Sequence, residues 1–111
     1  MKITRGDTYR FKFQRKDGSG EAILSKANKL YFTVKEDYES EDALIQKTID
    51  DMDFDDETGY YSFTLEPNDT DNLKYGDYVY DIEVKQNDYT KTIIKGNFII
   101  REEVTFAGNE V

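Results

Sequence analysis

Residues 69–84 read DTDNLKYGDYVYDIEV, a polar turn that runs without a break into a strand of alternating inward and outward residues. This transition is typical of an antiparallel β-sandwich. In one large class of sandwiches, a tyrosine at the start of a late strand donates a hydrogen bond from its hydroxyl back to the preceding loop. Tyr78 follows Leu73 and Gly76 at the spacing for that contact. Because glycine adopts backbone conformations closed to other residues, Gly76 permits the bend into the strand.

The same alternation of apolar and polar residues recurs along the chain. Segments 9–14, 30–35, 60–65, 78–84 and 90–100 each present one apolar face and one polar face, which predicts strands with one buried side. Seven or eight short strands separated by turns favour two packed sheets over a parallel α/β arrangement. The sequence therefore predicts an all-β, immunoglobulin-like antiparallel β-sandwich. We expect residues 1–111 to form a single domain, with 106–111 as a frayed tail.

Shorter segments predict the connections between these strands. Residues 22–24 fit a brief edge strand, and residues 67–73 fit one helical turn before the bend. Residues 43–49 fit either a helical turn or a strand, and the flanking β pattern favours the strand. Gly96 interrupts the return strand after a short hairpin connection at 86–88, and it is a candidate for a β-bulge.

Composition excludes several classes of function. Asp and Glu number 24 against 15 Lys and Arg, for a formal net charge of −9, and no basic cluster is present to follow a phosphate backbone, so we expect no nucleic-acid partner. The chain contains no cysteine and no histidine, which removes thiolate and imidazole chemistry and the commonest transition-metal ligands. Hydrophobic residues make up only 37% of the chain, but nine tyrosines and seven phenylalanines supply large buried areas. We expect a folded protein that is not an enzyme and holds no cofactor.

The start of the chain has no apolar segment of the kind found in signal peptides. No later run approaches the roughly 20 apolar residues of a membrane-spanning helix. We therefore expect a soluble protein that is made in the cytoplasm and has no membrane partner.

The densest charged segment is 50–57, DDMDFDDE. Asp51, Asp53 and Asp55 have the one-three-five spacing that opens a calcium-binding loop. The sixth position requires glycine and is Asp56, and the twelfth requires glutamate and is Ser62. The three aspartates remain a candidate for an improvised calcium site, and the alternative is a solvated connection between strands.

Tyrosines outside the apolar faces are candidates for binding. The strand pattern assigns Tyr9, Tyr61, Tyr78 and Tyr80 to inner faces. It leaves Tyr31, Tyr38, Tyr60 and Tyr89 as surface residues, whose rings can stack on sugars or anchor a protein partner. A carbohydrate-binding β-sandwich module is thus one hypothesis for the function.

A second hypothesis comes from the succession of several short segments. These segments are ITRGDT at 3–8, DT at 69–70 followed by Leu73, GDYVYDI at 76–82, GNFII at 96–100 and EVT at 103–105. In this order they resemble the immunoglobulin-like N-terminal domain of upper baseplate proteins from tailed phages of Gram-positive bacteria, which are often found as prophage genes. The resemblance extends from Ile3 to Thr105.

This resemblance implies a non-enzymatic structural and assembly protein of a phage or prophage tail or baseplate. Its partners would be other virion proteins or further copies of itself, and it would move from the bacterial cytoplasm into the virion. The chain stops without the linker and receptor-binding segments that follow in such subunits, so we expect a standalone accessory protein or a fragment. We expect docking to use an edge strand, around Ile23 or residues 43–49, together with Tyr31 or Tyr60.

Overall fold

The computed structural model describes residues 1–102, which contain eight strands and two short helical turns. A 3₁₀ turn covers Ile49–Asp51, and helix α1 covers Pro67–Thr70. The predicted tail at 106–111 lies outside the described residues. The strands are β1 (Lys2–Thr4), β2 (Tyr9–Gln14), β3 (Lys29–Lys35), β4 (Ile45–Thr48), β5 (Asp53–Phe54), β6 (Tyr60–Leu65), β7 (Gly76–Gln86) and β8 (Tyr89–Arg101).

The strands form two packed sheets. One sheet has five strands in the order β1-β8-β7-β3-β4, and the other has three strands in the order β2-β6-β5. Every pairing is antiparallel except that of β1 with β8. This is the two-sheet plan of an all-β, immunoglobulin-like sandwich. In the part of the chain described, no helix is long and apolar enough to cross a membrane.

The core lies between the sheets and is rich in aromatic rings. Phe32 of β3 packs on Phe63 of β6 with ring centroids 4.7 Å apart, and Tyr61 packs on Phe54 at 4.6 Å. The buried hydroxyl of Tyr61 accepts a hydrogen bond of 2.9 Å from the backbone N–H of Ala27. Each large side chain buried in this way contributes about 1.5–3 kcal/mol, so a small number of aromatic residues stabilises a chain of high polarity.

The turn before β7 has the geometry that its sequence predicts. The hydroxyl of Tyr78 donates a 2.7 Å hydrogen bond to the backbone carbonyl of Lys74. Between them, Gly76 has a φ of 144°, which disfavours residues with a side chain. Burial raises the pKa of Tyr78 above its ordinary value, and the negative charge of Glu36 adds to this effect. The phenol therefore stays neutral and remains a hydrogen-bond donor.

Helix α1 links this corner to other parts of the sandwich. Its Asp69 side chain accepts a 2.7 Å hydrogen bond from the backbone N–H of Glu66 at the start of the helix. The same carboxylate forms a 3.0 Å ion pair with Lys47 of β4. Thr70 is fully buried, and its hydroxyl accepts a 2.9 Å hydrogen bond from the backbone N–H of Gly6. The short helix thus connects an edge strand with the N-terminal loop.

Three details differ from the sequence predictions. The brief strand at residues 22–24 is reduced to a single bridge between Ala22 and Lys16, with one further backbone hydrogen bond from the N–H of Ile23 to the carbonyl of Arg15. The register shift between β7 and β8 falls beside Ile93 rather than at Gly96. Gly96 has a packing role instead, since a Cβ there would lie 3.2 Å from the ring of Tyr80.

The third difference is the parallel pairing of β1 with β8 in a sheet that we expected to be wholly antiparallel. Lys2, Ile3 and Thr4 pair with Ile99, Ile100 and Arg101. Parallel neighbours need a long connection between them, and the whole intervening sandwich supplies it. Three residues carry too little alternation to be recognised as a strand from sequence.

Candidate binding face

The outer face of the five-stranded sheet is formed by alternate residues of β4, β3, β7 and β8. Because side chains alternate across a strand, the register of the pairings decides which of them become neighbours. Two polar rows cross the four strands side by side. The first row is Gln46, Thr33, Asp81 and Lys95, and the second is Thr48, Tyr31, Glu83 and Thr92.

Two depressions lie on this outer face, with volumes of about 340 Å³ and about 560 Å³. Tyr31 lines the first depression, Tyr38 lines the second, and Asp81 borders both. The Gln46 amide donates a 3.2 Å hydrogen bond to the hydroxyl of Thr33 within the first depression. The outer face is therefore a broad polar surface with aromatic rings on two sides and a carboxylate at its centre.

Asp81 is the charged residue that this environment affects most clearly. It is half-buried on the outer face, and burial raises the pKa of its carboxyl above the ordinary value, while the positive charge of Lys35 acts in the opposite direction. An ionised carboxylate that is partly removed from water lowers the stability of the fold. Residues that reduce stability in this way are frequent at binding sites, which makes Asp81 a candidate functional residue.

Both tyrosines of this face have a lysine nearby. The ammonium of Lys85 lies 5.7 Å from the ring centroid of Tyr31, and that of Lys95 lies 5.8 Å from the ring of Tyr38. Tyr38 also donates a 3.2 Å hydrogen bond from its hydroxyl to the backbone carbonyl of Gly96. Tyr38 is nevertheless 55% exposed, so its ring is anchored by this hydrogen bond and open to a partner.

Tyr60 lies on the opposite side of the molecule. It belongs to β6, where Tyr61 is fully buried, so Tyr60 projects from the outer face of the three-stranded sheet. Its ring has the ammonium of Lys12 at 4.9 Å. The structure therefore does not bring Tyr60 together with Tyr31, and the two cannot contribute to one contact surface.

The three aspartates of the candidate calcium loop have separate partners. Asp51 accepts a 2.8 Å hydrogen bond from the backbone N–H of Thr48, Asp53 forms a 2.5 Å ion pair with Arg10, and Asp55 accepts a hydrogen bond from a backbone N–H in its own turn. Among residues 1–102, no group of three or more acidic side chains is placed to hold a metal ion. Asp51 lies in the 3₁₀ turn, Asp53 in β5 and Asp55 in the turn after β5, so each carboxylate is held by a different partner.

Lys35 and Asp81 are not among the candidate binding residues that the sequence pattern indicates. Their positions in the alternating pattern indicate an outward direction, but only the pairing of Thr33 with Asp81 shows that they share one face with Tyr31. Arg15 is also not among those candidates. By the same alternation it continues the inner-facing series of Phe11 and Phe13. The sequence pattern therefore did contain a signal for this residue, because it places a charged side chain on the buried side.

Comparisons with known proteins bear on the fold. No family model matches the chain, and no curated protein matches it. Among solved structures, the chain is similar to an endo-beta-1,4-mannanase from Thermotoga petrophila, with a TM-score of 0.59 and 15% sequence identity. The match covers 92% of this chain and 17% of the mannanase chain. At this identity the likeness supports the β-sandwich architecture alone.

Proposed function

We propose that this protein is a non-enzymatic structural and assembly module of a phage or prophage tail or baseplate. It docks on other virion proteins through the outer face of the five-stranded sheet. The observation that carries the docking surface is the arrangement of Tyr31 and Tyr38 around the half-buried Asp81. The assignment to a tail or baseplate rests on the resemblance of the sequence segments described above.

The chemistry of this face suits a protein partner. Tyrosine is enriched at interfaces because its ring buries a large area and its hydroxyl still forms hydrogen bonds. Lys35, Lys85 and Lys95 stand beside Asp81 and Glu83 on the same sheet. Mixed charges in a fixed order fix the register and orientation of a partner more than they add to raw affinity.

The edge strand β4 is less suited to docking by strand addition. Lys47 lies opposite Phe32 in the register, so its side chain starts on the inner side of the sheet. Its side chain is only 19% exposed, and its ammonium pairs with Asp69. Charged residues that point inward from an edge strand discourage pairing with another strand. The open face, rather than the edge, is therefore our proposed contact.

The test is co-expression of this chain with the proteins encoded next to it, followed by measurement of the absolute mass of the complex. We expect a complex of defined stoichiometry that Tyr31→Ala weakens by about tenfold or more, as for a tyrosine at the centre of an interface. Tyr60→Ala is the matched control, since it removes an exposed, lysine-capped tyrosine from the opposite face. Equal effects of both substitutions, with the fold intact, would refute the proposed face.

Carbohydrate binding is the second candidate, and the same two tyrosines favour it. Rings bordering a polar depression can stack on sugar residues while Asp81 and Gln46 form hydrogen bonds with hydroxyl groups. Soluble β-1,4-mannan is a reasonable first probe, with tyrosine fluorescence and migration in an affinity gel as readouts. Saturable binding that Tyr31→Ala and Tyr38→Ala abolish would favour this function over assembly.

A further inference from the structure

A buried arginine lies at the end of β2, away from the outer face described above. Arg15 is only 6% exposed. One of its terminal nitrogens, Nη2, donates a 2.8 Å hydrogen bond to the backbone carbonyl of Ser25, whereas Nε is buried and has no hydrogen-bond partner. Within residues 1–102, the ion pairs formed by arginine and lysine include none between Arg15 and a carboxylate. A buried guanidinium charge thus lacks a counter-ion.

Arg15 lines a cavity of about 330 Å³ at the open end of the sandwich, beside the bulged part of β8. Lys16 and Lys91 also line this cavity, and none of its lining residues is acidic. The whole chain has 24 acidic and 15 basic residues and is negatively charged. The wall of this cavity, with three basic residues and no acidic one, is positively charged. Their combined field attracts an anion.

The rest of the cavity wall is mixed. Ile23 and Ile93 provide an apolar part, and the side chains of Tyr89 and Thr92 provide hydroxyl groups. An ion the size of phosphate fills only part of this volume and makes no favourable contact with the isoleucines. A carboxylate on a branched aliphatic group contacts both parts of the wall, because its charge lies next to the cations while its hydrocarbon packs on Ile23 and Ile93.

We propose that this cavity binds a carboxylate carried on an apolar group, with Arg15 as the principal ligand and Lys16 and Lys91 as supporting charges. The bound carboxylate supplies the counter-ion that the guanidinium lacks in the free protein. A charge removed from water without a partner is unfavourable. Binding of the carboxylate therefore offsets the desolvation free energy of the Arg15 guanidinium, which destabilises the free protein. The three cations of this site do not line the outer-face depressions, although Thr92 and Ile93 line both this cavity and the second depression.

The experiment is a titration of the whole chain with 3-methylbutanoate at low salt, followed by the backbone amide resonances of Ile23, Thr92 and Ile93 in ¹⁵N NMR spectra. We expect saturable shifts with a dissociation constant in the millimolar range, as for so small a ligand. The neutral isostere 3-methylbutanamide is expected to bind about tenfold more weakly or worse, because it cannot form the charge-assisted hydrogen bond. Equal binding of the amide would overturn the proposal.

Inorganic phosphate is the second probe and tests the apolar part of the site. We expect it to bind more weakly than 3-methylbutanoate, because it makes no contact with Ile23 or Ile93. Phosphate binding of equal or greater strength would overturn the assignment of a carboxylate on an apolar group. Failure of every probe to give saturable shifts would overturn the site as a whole.

Arg15→Met is the decisive variant, and Arg10→Met is its matched control, because Arg10 lies on β2, which ends just before Arg15, and it projects outward. We expect Arg15→Met to lose probe binding by about tenfold or more while its thermal midpoint stays equal or rises, since an unpaired buried charge is removed. A purely structural arginine gives the opposite result, with lower stability and unchanged binding.

A second variant keeps the proposal falsifiable if Arg15→Met fails to fold. The double substitution of Lys16→Gln and Lys91→Gln changes two exposed side chains and leaves the core intact. We expect it to weaken 3-methylbutanoate binding by about threefold or more, because two attractive charges are removed at low ionic strength. Unchanged binding in this folded variant would contradict the proposal.

Discussion

The ion pair between Lys47 and Asp69 is expected to contribute more to stability than the shorter pair between Arg10 and Asp53. The first joins edge strand β4 to helix α1 over 3.0 Å, and its side chains are 19% and 22% exposed. The second has a distance of 2.5 Å, but its side chains are 54% and 79% exposed. The burial of the two pairs, rather than their distances, determines which one stabilises the fold more, because water screens the exposed pair.

The expected loss of stability on breaking each ion pair follows from its exposure to water. Exposed ion pairs contribute about 0–1 kcal/mol, and removal of one partner from a fully buried pair costs about 3–5 kcal/mol. Lys47→Met leaves Asp69 with the hydrogen bond from Glu66 and with some access to water. We therefore expect a loss of about 1.5–2 kcal/mol in the free energy of unfolding. Arg10→Met is expected to cost about 0.5 kcal/mol or less.

Urea denaturation followed by circular dichroism measures both variants, with the midpoint and slope fitted together. Asp69→Asn combined with Lys47→Met completes a double-mutant cycle and separates the pair from the helix cap. Salt near 1 M, where the screening length is about 3 Å, is expected to change the Lys47 pair little. An equal cost for Lys47→Met and Arg10→Met would refute the argument from burial.

Three further predictions concern stability. Tyr78→Phe removes the hydrogen bond to the loop and is expected to cost about 1 kcal/mol in urea denaturation, whereas Tyr89→Phe, at an exposed position, is expected to be neutral. Asp81→Asn is expected to raise stability at pH 7. Because burial raises the pKa of Asp81 in the folded state, ionisation of this carboxyl destabilises the fold at higher pH. The advantage of the variant over wild type therefore disappears as the pH falls towards 3.8, the ordinary pKa of an aspartate. Gly96→Ala is expected to lower the free energy of unfolding by about 1–3 kcal/mol, because the added methyl group overpacks against Tyr80. Gly18→Ala is the control, since no atom lies within 4 Å of its added Cβ. Equal thermal midpoints for the two variants would contradict the packing role of Gly96.

The strands with strong alternation could be predicted from sequence. Tyr61, Phe63 and Leu65 are buried as their spacing indicates, and residues 43–49 contain the expected strand at Ile45–Thr48, with Ile49 beginning the 3₁₀ turn. The helical turn after Glu66 follows from Pro67 at its first position. These features depend on local periodicity and backbone preference, which a single sequence contains.

The features that sequence did not predict depend on pairing between distant segments. The three residues of β1 become a strand only because β8 lies beside them. Asp81 joins Tyr31 on one face only through the register of the β3–β7 pair, and Tyr38, in the loop after β3, reaches this face through its hydrogen bond to Gly96 of β8. The spacing of Asp51, Asp53 and Asp55 resembled a calcium loop because it ignores the directions that a 3₁₀ turn and a strand give to side chains. Long-range register is therefore the information that the sequence pattern lacks.

The measurement that tests the proposed function most directly is the absolute mass, by light scattering after size-exclusion chromatography, of this chain co-expressed with the proteins encoded next to it. We expect a defined complex that survives Tyr60→Ala and dissociates at least about tenfold more readily with Tyr31→Ala. A monomer in every mixture and at every concentration, or a complex that loses equal affinity with either substitution, would contradict it.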